Sequence, residues 1–120
     1  MSVWVWIAVG VLGGAGALAR FVLDALISTR RRGVFPLGTF AVNISGAFAL
    51  GVLIGLDLPS ETLLLAGTAA IGAYTTFSTW VLETHRLAED GEIGTAVLNV
   101  VLSITVGVGA AAIGRLVGGH

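Results

Sequence analysis

The chain has 120 residues, 56% of them apolar and only 11% charged, with a mean hydropathy of +0.99 and 18 glycines. This composition excludes an ordinary soluble domain and places the chain in a bilayer. The net charge of −1, with all six basic residues arginine, carries no signal for nucleic acid, and the lack of cysteine excludes disulfides, thiolate metal sites and thiol redox chemistry together.

Four apolar segments fall at about residues 3–27, 36–56, 62–84 and 95–117, each near the roughly 20 residues that cross a hydrocarbon core. They predict one all-α, multi-pass transmembrane domain over residues 1–120, with no room in the short connections for a soluble domain. The first segment has no basic residue ahead of it and is too long for a signal peptide, so it is expected to be retained. Trp4, Trp6 and Trp80 fall near segment ends, where amphipathic rings favour the headgroup boundary; for Trp80 the alternative is to face a conduction pathway. Glycines four apart at Gly10/Gly14, Gly51/Gly55 and Gly114/Gly118 allow close backbone approach between helices.

Arg20 ends an uncharged run from Val3 to Ala19 and precedes Asp24 by one helical turn. Two compatible roles follow: a boundary ion pair with a snorkelling guanidinium, or the positive rim of a vestibule that concentrates anions. In the second segment Thr39 and Asn43 share a face close to Gly46, and in the fourth Thr95, Asn99 and Ser103 form one polar stripe. Such residues either bond between helices or line a wet pathway.

The third segment is interrupted at Gly72-Ala73-Tyr74-Thr75-Thr76-Phe77-Ser78-Thr79-Trp80. Lipid offers nothing to a backbone that leaves helical geometry, so the break is expected to face protein, water or an ion. No carboxylate or histidine lies deep in any segment, unlike the ionisable relays of proton-coupled carriers. Amide and hydroxyl donors, with the electropositive rim of Phe77, suit a small, strongly hydrated anion that must enter and leave. Four helices fill their own centre, so a conducting path implies an oligomer. His85 and His120 stand at segment ends without a nucleophile nearby, so an enzyme is not expected. A small drug/proton antiporter would need a carboxylate in the first segment, and Val3 to Ala19 has none.

The stretches Gly13 to Arg20, Gly38 to Gly46 and Gly72 to Thr79 closely resemble the Fluc (CrcB) fluoride channels, in three of four spans and in the right order. The resemblance implies a passive, fluoride-selective channel that lowers cytoplasmic fluoride, built as an antiparallel dimer in the cell membrane with one structural, untransported Na⁺ where the two broken helices cross. By position it implies Gly72 and Thr75 as carbonyl ligands of that ion. It also implies Asn43, Phe77 and Ser78 in the pore, with Arg20, Thr39, Asn99 and Ser103 along the pathway. Trp80 stands where the family has its second phenylalanine, adding bulk and an N–H donor. The second subunit is either identical or a paralogue. Arg30, Arg31, Arg32 and Arg86, with only Arg115 opposite, predict one fixed orientation, which favours an oppositely inserted paralogue.

Overall fold

The computed structural model describes residues 2–30 and 33–119; Arg31 and Arg32 of the basic cluster and His120 lie outside the described residues. The described residues form helices joined by short turns. Helix α1 spans Val3–Arg30, without proline over its 28 residues. Helix α2 (Leu37–Gly55) begins after Pro36, whose backbone angles leave the helical region and whose ring ends the preceding turn. A turn through Asp57, in the left-handed region at φ 57°, leads to Pro59 and the short α3 (Ser60–Leu63).

The chain then winds as a π-helix over Leu64–Ile71, returns to α geometry in α4 (Gly72–Tyr74), and opens fully at Thr75, with φ −78° and ψ 161°. It resumes as α5 (Ser78–Glu89), turns at Gly91 and ends in α6 (Ile93–Gly118). The interruption expected over nine residues is thus confined to residues 75–77, and it is preceded by eight π-helical residues that nothing in the hydropathy announces. Helices α1, α2 and α6 are each long and apolar enough to cross a bilayer unbroken. The third crossing is the divided stretch from α3 to α5.

Glycine sets how the rods pack. A β-carbon at Gly51 would stand 2.2 Å from the carbonyl oxygen of Ala111, one at Gly55 2.4 Å from that of Arg115, and one at Gly114 2.3 Å from that of Phe48. Helices α2 and α6 therefore meet backbone to backbone along two of the three glycine pairs. The third pair does not serve the single chain, because Gly10 and Gly14 meet nothing within 4 Å. On α1 the close approach is made by Gly16 instead, where a β-carbon would lie 2.2 Å from the Ala70 carbonyl of the π-helix. Few apolar side chains are buried, among them Val42 and Ala69, whereas Trp4, Phe21 and Leu116 point outward as a lipid-facing surface does.

Gly114→Ala is expected to lower resistance to unfolding in a detergent titration by about 1–3 kcal/mol, since backbone cannot yield as a side chain would. Gly14→Ala should leave the fold of the single chain unchanged in the same titration.

Candidate functional site

The break depends on one side chain. The Thr76 N–H donates to Asn43 Oδ1 at 2.8 Å, and Asn43 Nδ2 donates to the Thr76 carbonyl at 2.8 Å, so an amide on α2 pairs with a whole peptide group of the broken span. Two polar groups that would be costly in lipid are satisfied at once. The contact is possible because residue 46 is glycine: a β-carbon there would stand 2.2 Å from the Thr75 methyl. On the far side of the break the Thr79 N–H donates to Thr76 Oγ1 at 3.2 Å and starts α5, a capping role that falls to a hydroxyl.

The pairing leaves other groups free. The Thr75 N–H and hydroxyl both donate to the Ile71 carbonyl, at 2.9 and 3.1 Å. With Thr76 N–H turned to Asn43 and Thr79 N–H to Thr76, the carbonyls of Gly72 and Thr75 receive no hydrogen bond from the residues four ahead of them. The Ala73 carbonyl likewise receives nothing from residue 77, so the turn offers several unspent carbonyl oxygens, a kind of group that can hold a hard cation.

A cavity of about 390 Å³ opens beside the break, and Asn43, Thr75, Thr76, Phe77, Trp80 and Ser103 all line it. Phe77 is 74% exposed and tilts against Trp80, with ring centroids 5.6 Å apart. A second cavity of about 240 Å³ lies across Thr76, lined by Arg20, Asp24, Thr39 and Thr79. Thr76 belongs to both and is the wall between them. Arg20 makes no ion pair with Asp24: the one salt bridge among the described residues joins His85 and Glu89 at 3.3 Å. Asp24 instead accepts from the Ser28 hydroxyl at 3.2 Å. Arg20 and Asp24 thus both line the smaller cavity with no direct ion pair between them.

The residues expected along the pathway thus fall into three groups. Asn43, Phe77, Trp80 and Ser103 meet at the larger cavity, while Arg20 and Thr39 meet at the smaller. Asn99 is fully buried and lines neither, and Ser78 is exposed at the start of α5 and lines neither. Asn99 belongs instead to a hydrogen-bonded chain between α5 and α6. Trp80 Nε1 donates to Ser103 Oγ at 3.0 Å, Ser103 to Asn99 Oδ1 at 3.3 Å, Asn99 Nδ2 to Thr84 Oγ1 at 2.9 Å, and Thr84 to the Trp80 carbonyl at 2.7 Å.

Thr76, Thr84 and Glu83 escaped the sequence reading. Thr84 lies four residues after Trp80, a spacing that could have flagged it. Glu83 stands on α5 with one carboxylate oxygen, Oε1, buried and without a hydrogen-bond partner, near Thr39, Asp24 and Arg86. It lies at the end of the third crossing, so the absence of acids read from the sequence holds for the middle of the spans and not for this end.

Comparison with known proteins matches residues 7–115 to the family described as CrcB-like protein, Camphor Resistance (CrcB). A protein of Mycolicibacterium paratuberculosis named fluoride-specific ion channel FluC 2 is 52% identical over 114 residues, covering 95% of this chain and 93% of that protein. A Mycobacterium tuberculosis protein of the same name is 49% identical over 115 residues, covering 96% and 91%. Fluoride-specific ion channel FluC 1 of Symbiobacterium thermophilum is 43% identical over 119 residues, covering 94% and 96%.

Because Asn43 holds the break as well as facing the cavity, Asn43→Ala is expected to cost stability and not conduction alone. Leaving the Thr76 N–H and carbonyl unpaired should lower the unfolding free energy by about 1–3 kcal/mol per group. Faster hydrogen exchange at the Thr76 amide, read by mass spectrometry, would mark the cause.

Proposed function

We infer the function from the premise that this chain belongs to the CrcB-like family: it is a fluoride channel of the membrane, not an enzyme, and it carries fluoride passively out of the cytoplasm. The observation that carries this reading is the meeting of Asn43, Phe77, Trp80 and Ser103 around one cavity at the break. These groups are polar or aromatic but uncharged, so they offer hydrogen bonds to a dehydrating anion without binding it too firmly to release. The Phe77 ring presents its electropositive rim, and Arg20 raises the local anion concentration at the mouth of the smaller cavity. Fluoride enters acidified cells as neutral HF and dissociates inside, so a path selective for the ion drains it down its own gradient. No bond is made or broken.

A second subunit completes the path. An aromatic ring 74% exposed beside an opened backbone needs a facing wall, and Gly10 and Gly14 on α1 leave backbone open to a neighbouring helix. An antiparallel arrangement sets one broken span against another. The arginine imbalance, and relatives whose names carry the numerals 1 and 2, support a paralogue as the partner over an identical chain. The free carbonyls of Gly72 and Thr75 fit a structural Na⁺ shared between two such breaks. Among the described residues no cluster of acids, histidines or cysteines gathers to hold a metal, so a singly charged ion suits these neutral oxygens better than a divalent one. Such an ion supplies positive charge that satisfies the opened backbone; Asn43 and Thr76 fix the peptide plane beside it.

Fluoride efflux from liposomes, read with a fluoride electrode, tests the reading directly. Phe77→Ala should slow efflux by about 100-fold, equivalent to about 2.7 kcal/mol in the barrier, with the assembled protein still eluting as wild type. Unchanged efflux would remove Phe77 from the path. Replacing Na⁺ with a bulky organic cation at constant ionic strength should lower the thermal midpoint of the assembled protein, as loss of any ligand bound only to the folded state must. A midpoint indifferent to Na⁺ would leave the carbonyls without that ion.

A further inference from the structure

Where the broken span crosses α2 it passes over Gly46, and it is gripped on both flanks of that glycine. Asn43 holds the Thr76 peptide on one flank. On the other, the Tyr74 hydroxyl lies 2.8 Å from Ser45 Oγ and shares a hydrogen bond with it. At about 100° per residue, Asn43 and Ser45 project to opposite sides of Gly46. The Tyr74 ring lies across the glycine itself, 3.3 Å from where a β-carbon would stand, and the Tyr74 nitrogen lies 3.2 Å from the β-carbon position of Gly16 on α1. Ser45 is seated in turn, its hydroxyl donating to the Val42 carbonyl at 3.0 Å. Tyr74, the last residue of α4, is therefore braced at its backbone by α1 and at its hydroxyl by α2.

The two grips act on different carbonyls. In a trans peptide the N–H and C=O point in opposite directions, so Asn43, by holding the Thr76 N–H, aims the Thr75 carbonyl away from itself. The Gly72 and Ala73 carbonyls lie upstream of the opening at Thr75, where Asn43 has no hold on them. Their direction follows the rotation of α4 about its own axis. The Thr75 N–H and hydroxyl tie that end to Ile71, within the same limb, and so do not fix it against a neighbouring helix. Tyr74 does. With its ring on Gly46 and its tip on Ser45, it is a lever fastened at the far end, and phenylalanine would fill the same space with the lever unfastened.

We propose, resting on the reading of a Na⁺ at the break, that Tyr74 and Ser45 are positioning residues for that ion: their hydroxyl pair sets the direction of the Gly72 and Ala73 carbonyls, and thereby the affinity of the site, independently of Asn43. In this role neither hydroxyl is a ligand. Oxygens already held in place bind more tightly because none of the binding energy goes to ordering them. Asn43 supplies that order on one side of the opening, and Tyr74 with Ser45 supplies it on the other.

The test reads the apparent Kd for Na⁺ from the rise of the thermal midpoint of the assembled protein with Na⁺ concentration, N-methylglucamine replacing Na⁺ at constant ionic strength. Tyr74→Phe should raise that Kd by about fivefold, the scale of one neutral hydrogen bond. Ser45→Ala should do the same, and, being at an exposed position, it carries the test if Tyr74→Phe does not assemble. The double variant should go no further than either single one, since both remove the same interaction, and Ser45→Thr, which keeps the hydroxyl, should stay near wild type. A pair that only joins two helices would lower the midpoint equally at every Na⁺ concentration and leave the Kd where it was, and that result overturns the proposal. Hydrogen exchange gives the second reading: the Thr76 amide, held by Asn43, should exchange in Tyr74→Phe as it does in wild type, and faster exchange there would make the two grips one and overturn their independence. A wild-type midpoint indifferent to Na⁺ defeats the cation reading and the proposal with it, whereas a responsive wild type with an unmoved Kd in the variants overturns the proposal alone.

Discussion

A peptide group inside a membrane has no water to fall back on, and the rest of this molecule is arranged around one place where the chain accepts that cost. At Thr76 the backbone leaves the helix, and Asn43 supplies the donor and acceptor that the helix no longer does. Gly46 brings α2 close enough for the amide to reach, and Gly16 lets α1 press on the π-helix just before the break. The packing of α2 against α6 through Gly51, Gly55, Gly114 and Gly118 gives the amide a rigid base. The same break frees carbonyls at Gly72 and Thr75 and turns Phe77 outward. The opened backbone and the cavity beside it therefore have one cause.

The break itself was legible in the sequence because helix-length hydropathy and a run of hydroxyls disagree over residues 72–80. Its extent was not, because Gly72 to Tyr74 keep helical geometry and only Thr75 adopts extended angles. The π-helix was invisible for a related reason: α and π turns bury much the same apolar residues over eight positions, so composition does not separate them. Asn43 could be read as polar and facing inward, but its pairing spans 33 positions of sequence and depends on tertiary approach. The Arg20–Asp24 pair was a fair expectation from spacing alone, and the structure separates the two because Asp24 takes a local hydroxyl donor instead.

The polar stripe on α6 shows how two readings of the same residues divide in practice. Asn99 and Ser103 lie on one face as their spacing required, yet that face is turned to α5 and not wholly to the cavity. Asn99 is interhelical glue, fully enclosed, and Ser103 is both glue and wall. The number of polar side chains in a span says how many hydrogen bonds must be made, and only their order in space says which of them an ion can compete for.

Charge is placed by the same logic. The cavity at the break contains no ionisable group, whereas Arg20 and Asp24 line the neighbouring one, separated from it by Thr76. An arginine at the break would hold a small anion by both attraction and forked hydrogen bonds, and release would become the slow step. Set beyond Thr76, the guanidinium stands apart from the neutral groups that line the cavity at the break. Asp24 lines the same cavity as Arg20 and accepts from the Ser28 hydroxyl, with no direct ion pair between the two charged groups. Charged and neutral linings thus lie on either side of Thr76, whose peptide Asn43 holds in place.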